Sequence, residues 1–356
     1  MLYGIDIFSG AGGLSHGAEM AGITIKHAIE IDSYAAASFE RNHKNAIVHC
    51  GDIKTIKSSE LTNGKENVFV IMGGPPCQGF SMSNTMSRNM DNPKNYLFKE
   101  FVRLVEEIRP IWFVLENVRG LAAMENGRTR EQIEQCFENL GYKVKSQILW
   151  AHDYGVPQKR NRLFIVGNRI GKDFEFPKPL DYVVSVGDAF CDLPSLKNGD
   201  QFDELPYTKP IEEISPFAKL MRMDSEKATQ NYVSKNSDLV IRRYSYIGQG
   251  QNWRAIPENL MQNYADKLRC HSGIYKRLKA DEPSVVISNY RKMMLIHPLE
   301  DRGLSVREAA RLQSFPDTYL FCGPISYIQQ QIGNAVPPLL AKAVFSQIIK
   351  MSRHNG

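Results

Sequence analysis

Short β-rich apolar runs alternate with longer amphipathic stretches over the first 170 residues of the chain. Runs of this kind predict strands, and apolar positions three or four residues apart predict helices. Their alternation predicts an α/β fold with a mostly parallel sheet flanked by helices. The predicted strands are Gly4–Phe8, Ile25–Ile29, Val68–Met72, Ile111–Leu115, Lys143–Leu149 and Arg162–Val166, and the predicted helices are Leu14–Ala21, Tyr34–His43, Leu97–Ile108 and Arg130–Leu140.

The pattern loosens from about residue 172 to about residue 300, where Pro, Asn, Asp and Lys are frequent. Weak periodicity of this kind predicts a smaller, loop-rich domain. Helical order returns at Ser305, where Ser305 and Glu308 fit a capping box for a helix through Gln313. A last helix is predicted at Pro338–Met351. We expect one domain of residues 1–188 plus 330–356 and a second of residues 189–329.

The composition is that of a water-soluble globular protein, with 42% hydrophobic and 23% charged residues. The longest apolar runs fall far short of the roughly 20 residues that span a bilayer. The N-terminus leads into the first predicted strand without the basic flank and apolar core of an export signal. We therefore expect no membrane partner and a cytoplasmic location.

Six cysteines are scattered along the chain without any C-x-x-C pair. This spacing favours free thiols over disulfides or a structural zinc site, and we expect no bound metal.

Basic character is concentrated in residues 242–302, which hold eleven Lys or Arg against six Asp or Glu. The same stretch carries six Tyr or Trp residues. Cations interleaved with aromatic rings are typical of surfaces that meet phosphates and bases. An exposed basic face with no ligand explains this composition equally well.

A glycine-rich turn follows the first predicted strand and opens a helix, in the order Ser9-Gly10-Ala11-Gly12-Gly13-Leu14. Ligands of open α/β sheets bind at this edge. Glu30 follows Gly10 by twenty residues, where an acidic residue binds a ribose hydroxyl. Ser15 replaces the third glycine of the dinucleotide fingerprint, which favours another nucleoside-bearing cofactor over a nicotinamide or flavin.

A second glycine-rich segment, Gly73-Gly74-Pro75-Pro76-Cys77-Gln78-Gly79-Phe80-Ser81, follows the apolar strand Val68–Met72. Two prolines and flanking glycines suit an exposed, rigid turn better than a protein core. The segment therefore predicts a reactive thiol, Cys77, at the ligand-binding edge.

Charged residues reach the same edge from two later strands. The strand Ile111–Leu115 is followed by Glu116, and Arg160 and Arg162 alternate just before and within the predicted strand at 162–166. Alternation with a period of two places both arginines on one face. A thiol, a carboxylate and two cations are then expected around one substrate.

These segments, in this order, closely resemble the cytosine-5 DNA methyltransferases. The resemblance rests on residues 6–14, 74–81, Glu116-Asn117-Val118, Gln158-Lys159-Arg160-Asn161-Arg162, residues 307–316 and residues 331–338. It covers the chain except for its middle. It implies a Rossmann-like, S-adenosylmethionine-dependent methyltransferase fold with a target-recognition domain at residues 189–329.

The resemblance also implies the catalytic residues. Cys77 would add to carbon 6 of the cytosine, and Glu116 would hold or protonate ring N3. Arg162 and Arg160 would contact the base and its backbone. Because the thiol cannot reach carbon 6 inside a stacked duplex, the base would be flipped out of the helix.

The cofactor implied by the resemblance is S-adenosylmethionine, which leaves as S-adenosylhomocysteine, with no metal. Its binding residues would be Phe8, Gly10, Gly12, Glu30, Asp52, Ile53, Leu97 and Asn334. The implied partner is double-stranded DNA, and the residues expected to contact it are Pro76, Gln78, Ser81, Ser83, Arg254, Arg291 and Lys292. We expect a monomer, with a restriction endonuclease acting separately.

Two alternatives remain open at this point. A tRNA cytosine methyltransferase of the same fold has Pro-Pro-Cys-Gln-Pro-Phe-Thr, whereas this chain has Pro-Pro-Cys-Gln-Gly-Phe-Ser, which favours DNA. A catalytically silent nucleic-acid-binding protein of this fold would be expected to lack Cys77, Glu116 or the glycine turn, and all three are present.

Overall fold

A computed structural model describes residues 2–62, 67–76, 96–262 and 273–353. The chain forms two compact units. The first comprises Met1–Ala151, Asn161–Pro179 and Pro338–Gly356, and the second comprises His152–Arg160 and Leu180–Pro337.

The first unit is built on a seven-stranded sheet in the order β3-β2-β1-β4-β5-β7-β6. Its strands are β1 (Tyr3–Ile7), β2 (Thr24–Glu30), β3 (Ile47–Cys50), β4 (Val70–Gly73), β5 (Trp112–Val118), β6 (Lys143–Trp150) and β7 (Asn161–Asn168). The six strands predicted from the sequence are confirmed, and β3, a short strand at the edge of the sheet, is an addition.

The first five strands are parallel to one another, whereas β7 runs antiparallel to both β5 and β6. The prediction of a mostly parallel sheet is therefore confirmed. The reversal of β7 has a direct consequence for the site, because it brings the first residues of β7 beside the last residues of β5. Val118 pairs with Arg162 in this register.

Helices cover the sheet of the first unit, and each predicted helix is present within one or two residues of its expected bounds. Helix α1 begins directly after the glycine turn, and Gly17 lets helix α12 approach it closely. A Cβ on Gly17 would lie 2.5 Å from the carbonyl oxygen of Pro338. The helices of this unit are α1 (Gly13–Met20), α2 (Ser33–Asn42), α3 (Ser58–Leu61), α4 (Tyr96–Ile108), α5 (Arg119–Ala123), α6 (Arg128–Asn139) and α12 (Pro338–Arg353).

The core of the first unit lies between the sheet and helices α4 and α6. Six of the seven residues of β5 are buried. Phe113 of β5 stacks on Phe137 of α6 with ring centroids 4.0 Å apart, and Phe101 of α4 meets both rings edge-on. This packing fixes β5, whose carboxyl end carries Glu116.

The second unit contains short helices and a two-stranded antiparallel ribbon, which agrees with the loose sequence pattern of its segment. Its elements are α7 (Val186–Phe190), β8 (Gln201–Pro206), α8 (Pro216–Arg222), β9 (Lys227–Tyr232), α9 (Asp238–Tyr244), α10 (Val306–Leu312) and α11 (Ile325–Asn334). The capping box predicted at Ser305 and Glu308 is confirmed at the start of α10.

Buried ion pairs join helix α10 to loop segments of the second unit. Arg311 of α10 donates to the carboxylates of Asp192 and Asp317, and all three side chains are fully buried. Tyr207 donates a further hydrogen bond to Asp317, at 2.6 Å. An isolated buried charge would be strongly unfavourable, and in this cluster each charged side chain has an oppositely charged partner.

The boundaries of the two units differ from the predicted domain boundaries. Residues 152–160, 180–188 and 330–337 were assigned to the first domain but belong to the second unit. Local packing explains the difference, since Gly187 donates to the carbonyl of Ala280 and Gln313 donates to that of Ile332. The assignment of the second unit to target recognition stays a prediction.

Among the described residues, the stretch 325–353 is the one candidate membrane span by length and composition. The sequence analysis, which considered only the longest apolar runs, did not predict a membrane span in this stretch. It is divided into α11 and α12, and 67% of its most apolar window is buried inside the protein. A helix in a protein core passes the same test.

Glu308 makes the stability of the second unit dependent on pH. Burial alone would raise the pKa of Glu308, but the Arg302 guanidinium, which pairs with both carboxylate oxygens, outweighs it and lowers the pKa to about 2. A carboxyl group whose pKa is lowered by folding stabilises the protein above its ordinary pKa. That contribution is lost as the pH falls from about 4.5 towards 2.

Replacing this carboxylate, as Glu308→Gln, should lower the free energy of unfolding by about 3 kcal/mol at pH 7, because Arg302 loses its principal partner. Urea unfolding monitored at pH 7, 5 and 3 should show the deficit narrowing below pH 4.5. The exposed substitution Glu213→Gln serves as the control and should have no measurable effect. A deficit of constant size across this pH range would contradict the assignment.

Candidate active site

The glycine turn after β1 adopts a conformation that most side chains disfavour. Phe8, Gly10 and Gly12 have φ values of 65°, 55° and 91°. Positive φ explains the two glycines directly. A Cβ on Gly10 would meet no atom of the described residues within 4 Å, so these residues leave space beside the turn.

Glu30, at the end of β2, is fixed by backbone donors on both sides. The N–H of Gly10 donates to Oε2 at 2.7 Å, and the N–H of Asp32 donates to Oε1 at 2.8 Å. Burial raises the pKa of Glu30, whereas these two hydrogen bonds act in the opposite direction. A carboxylate has about four acceptor sites, so it keeps capacity for a hydroxyl donor.

Ile31 was missed by the sequence analysis and stands out for its exposure. The side chain follows Glu30 directly and is 72% exposed. An isoleucine this exposed offers an apolar contact surface next to the carboxylate. The sequence signal that could have found it is an apolar residue placed directly after the predicted ribose-binding carboxylate of Glu30.

Asp6 and Ser15 explain why the third fingerprint glycine is absent. Asp6 is fully buried in β1, and Ser15 of α1 donates to its Oδ2 at 2.6 Å. A glycine at position 15 would remove this donor. Burial raises the pKa of Asp6 to about 8, even though the bond from Ser15 lowers it.

Asp52, Ile53 and Leu97 also belong to the first unit. Asp52 caps the 3₁₀ turn Ile53–Thr55 by accepting from the N–H of Lys54. Arg103 of α4 donates to the carbonyl of Ile53 at 3.3 Å and so ties the turn to the helix that carries Leu97. The sequence analysis did not single out Arg103.

Glu116 and Arg162 form an ion pair across β5 and β7. Nε of Arg162 lies 2.7 Å from Oε1 of Glu116, and both side chains are nearly buried. Arg162 also donates to the carbonyl of Asn161. The sequence predicted that a carboxylate and a cation lie side by side, and Glu116 and Arg162 do so.

The segment that leads to Cys77 lies against Glu116. A Cβ on Gly74 would stand 2.7 Å from Oε2 of Glu116, so the carboxylate packs directly on the glycine backbone. Asn117 donates from Nδ2 to the carbonyl of Pro75 at 2.8 Å. Pro76 is exposed. Cys77, Gln78, Ser81 and Ser83 lie outside the described residues.

Arg160 and Asn334 belong to the second unit. Arg160 precedes β7, is 1% exposed, and donates to the carbonyl oxygen of Asn334 at 3.3 Å. The convergence of Arg160 with Arg162, and the place of Asn334 in the cofactor site, therefore stay predictions.

The three basic residues predicted to contact DNA are exposed. The Arg254 guanidinium lies 5.6 Å from the ring centroid of Trp253. Arg291 and Lys292 occupy a turn in which Asn289 accepts from the N–H of Lys292 at 3.0 Å. Their contact with DNA stays a prediction.

The edge of the first unit suits a nucleoside with an amino-acid end. Its described residues leave space beside Gly10, and they supply a carboxylate for ribose hydroxyls at Glu30 and the exposed apolar surface of Ile31. Backbone N–H groups at the start of α1 can receive a carboxylate. These residues fit S-adenosylmethionine, with Asp52, Ile53 and Leu97 available on adjoining elements.

The strand order, the reversed β7 and this edge define a Rossmann-like methyltransferase. The model of the family described as C-5 cytosine-specific DNA methylase matches residues 2–350. The chain therefore belongs to this family and is a DNA cytosine-5 methyltransferase. Enzymes of the family take the methyl group from S-adenosylmethionine.

Curated relatives are similar to this chain over nearly its whole length. It is 36% identical to Type II methyltransferase M1.HphI of Haemophilus parahaemolyticus, over 99% of this chain and 87% of the relative. It is 34% identical to Type II methyltransferase M.DdeI of Desulfomicrobium norvegicum, over 97% and 88%.

Solved structures share the fold. A candidate DNA modification methyltransferase encoded within an Escherichia coli prophage superposes with a TM-score of 0.81 at 26% identity, over 99% of this chain and 100% of that one. The Dnmt2 methyltransferase of S. pombe superposes with a TM-score of 0.62 at 16% identity, over 99% and 100%, which shows likeness of fold alone.

The buried carboxyl group of Asp6 should make stability fall as the pH rises. The unfolded chain loses this proton near pH 4, whereas the folded protein keeps it until about pH 8. Relative to Asp6→Asn, the wild type should lose up to about 1.4 kcal/mol of stability per pH unit between these limits. Urea unfolding at pH 5, 6.5 and 8 measures the difference. A difference independent of pH would refute the raised pKa.

Adding a methyl group at Gly74 should disturb the carboxylate of Glu116. We expect Gly74→Ala to lower kcat for methyl transfer to DNA at least about tenfold, because the added Cβ displaces Oε2. Gly120→Ala is the matched control, since its Cβ would meet its nearest neighbour at 3.9 Å. Binding of S-adenosylhomocysteine should be preserved in both variants. Undiminished kcat in Gly74→Ala would show that this contact is unimportant.

Proposed function

We propose that this chain methylates carbon 5 of a flipped cytosine in a specific sequence of double-stranded DNA, through a covalent bond to Cys77. The strongest support is the arrangement around Glu116. Arg162 holds one carboxylate oxygen, Gly74 packs against the other, and Asn117 binds the backbone two residues before Cys77.

Carbon 5 of cytosine is a weak nucleophile until electron density enters the ring. Addition of the Cys77 thiolate at carbon 6 supplies that density, and Glu116, acting as a neutral acid, donates a proton to N3 and takes it back when Cys77 leaves. S-adenosylmethionine, when bound, supplies an electrophilic methyl group, which carbon 5 takes. Loss of the carbon-5 proton and elimination of Cys77 then restore the aromatic ring.

Residues of the first unit hold the cofactor in this proposal. Glu30 accepts from the ribose hydroxyls, Ile31 packs on the adenine, and the turn at Gly10–Gly12 receives the amino-acid end. Asn334 is a further cofactor residue in this proposal, by the family resemblance. Phe8, Asp52, Ile53 and Leu97 line the same site.

The second unit reads the DNA sequence in this proposal. Phosphate contacts supply affinity, and a few side chains in the major groove supply specificity. Arg254, Arg291 and Lys292 are exposed cations suited to these contacts, together with Pro76, Gln78, Ser81 and Ser83 near the flipped base. The relatives named Type II methyltransferases suggest a companion restriction endonuclease. We expect the enzyme to act as a monomer in the cytoplasm.

The substrate is tested by offering labelled S-adenosylmethionine with DNA and with tRNA in parallel reactions. Transfer to DNA alone is expected, and bisulfite sequencing of DNA from expressing cells would then identify the target cytosine and its context. Transfer to tRNA alone would overturn the proposal in favour of the tRNA enzyme. Transfer to neither would favour a silent binding protein.

Removing the thiol by Cys77→Ser should reduce methyl transfer at least about a thousandfold, because the nucleophile is lost. Binding of S-adenosylhomocysteine should stay within about twofold of wild type, since the cofactor residues are intact. Cys136→Ser, on α6, is the matched control and should retain activity. DNA containing 5-fluorocytosine should trap a covalent adduct on denaturing gels with wild type but not with Cys77→Ser. Normal turnover by Cys77→Ser would exclude the covalent mechanism.

A further inference from the structure

Two exposed arginines belong to the connection that follows Glu116 in the first unit. Arg119 is the first residue of α5, directly after β5, and Arg128 is the first residue of α6. Both β5 and β6 run antiparallel to β7, so they are parallel to each other. The connection between two parallel strands leaves the sheet at its carboxyl edge, which is the edge that carries Glu116. We call Arg119 and Arg128 the edge arginines.

Helix α6 returns from this edge along the sheet, which fixes the place of Arg128. Phe137, near the end of α6, stacks on Phe113, near the start of β5, with ring centroids 4.0 Å apart. Arg128 precedes Phe137 by nine residues, or about 14 Å of helix. Val118 follows Phe113 by five residues, or about 17 Å of strand. The start of α6 therefore reaches the level at which β5 ends.

The edge arginines differ from other arginines of the first unit in their partners. Arg103 pairs with Glu100, Arg130 with Glu134 and Arg162 with Glu116. The side chains of the edge arginines have no ion pair or hydrogen bond with any residue in the described part of the chain. Glu125 is the one acidic residue between them in the sequence. The connection thus carries positive charge that the described residues do not neutralise.

The electrostatics of α6 do not explain a cation at position 128. A positive charge in the first turn of a helix is disfavoured by the helix dipole, whereas one in the last turn is favoured. Two other exposed arginines of this unit follow that rule, since Arg41 lies in the last turn of α2 and Arg353 in the last turn of α12. Arg128 does not follow it, which favours a partner outside the protein.

DNA supplies anions of the right kind at this edge. Arg119 follows Glu116 by three residues, so their Cα atoms lie at most roughly 10 Å apart. In the proposed reaction the flipped cytosine lies against Glu116, and the phosphates that flank this nucleotide then come near position 119. A guanidinium has parallel donors that match two oxygens of one phosphate.

We propose that the edge arginines bind backbone phosphates of the target strand beside the flipped cytosine, with Arg119 on the phosphate nearer to the base. The inference rests on the proposed reaction at Glu116 and adds a DNA-binding role for the first unit itself. The two contacts hold the backbone of the nucleotide that reacts and carry no sequence information. The sequence analysis indicated neither residue.

Binding of the full-length protein to a fluorescent DNA duplex that contains the target sequence, measured with S-adenosylhomocysteine over a range of salt concentrations, tests the proposal. Because each phosphate contact releases counterions, Arg119→Gln and Arg128→Gln should each reduce the slope of log affinity against log salt by about 1. Arg119→Lys keeps the charge and should keep the wild-type slope. Wild-type slopes in both Gln variants would overturn the proposal.

Arg41→Gln is the matched control for the loss of one exposed positive charge. Helix α2 connects the parallel strands β2 and β3, so its last turn lies at the opposite edge of the sheet. This variant should keep the wild-type slope, and all four variants should bind S-adenosylhomocysteine within about twofold of wild type. A slope reduced equally by Arg41→Gln would indicate a general effect of net charge and would also overturn the proposal.

Neutral methylphosphonates placed one at a time in the target strand distinguish a direct contact from long-range attraction. At one phosphate beside the target cytosine, the replacement should weaken binding by the wild type about tenfold. The same replacement should weaken binding by Arg119→Gln no more than about twofold, since the contact is already absent. Equal losses in the two proteins at every phosphate would show that Arg119 touches none of them, and the proposal would fail.

The inference and the proposed reaction fail in different ways. If the wild type methylates DNA but no phosphate is coupled to either edge arginine, the inference alone is wrong. If no methyl group reaches DNA, a duplex of mixed sequence replaces the target. A slope that still falls in both Gln variants would then support the phosphate contacts and refute the proposed reaction.

Discussion

The reversed direction of β7 is the constraint on which the catalytic edge depends. In a parallel arrangement the start of β7 would lie at the opposite end of the sheet from the end of β5. The antiparallel register instead pairs Val118 with Arg162 and brings the guanidinium to 2.7 Å from Glu116. Both side chains are nearly buried, where an unpaired charge would be strongly destabilising. The guanidinium and the carboxylate therefore stabilise each other. The carboxylate is thereby fixed before any substrate arrives.

Close backbone packing at Gly73 and Gly74 also positions the chain beside Glu116. A Cβ on Gly73 would stand 1.8 Å from the carbonyl oxygen of Ile7, and a Cβ on Gly74 would stand 2.7 Å from Glu116. Consecutive glycines thus let β4 lie against β1 and let the chain pass beside the carboxylate. The bond from Asn117 to the carbonyl of Pro75 holds this path at 2.8 Å. The rigidity that the prolines suggested is therefore supported by contacts from a neighbouring strand.

The sequence predicted what periodicity and local chemistry control. Strands of the sheet, the capping box at Ser305 and the acid at Glu30 all follow from local patterns. The direction of β7 does not, because alternating side chains look the same in parallel and antiparallel strands. Nor does the role of Ser15, whose partner Asp6 lies on another element. The bounds of the two compact units differ from the predicted domain bounds for a related reason, since contacts such as Gly187 with Ala280 join positions distant in sequence.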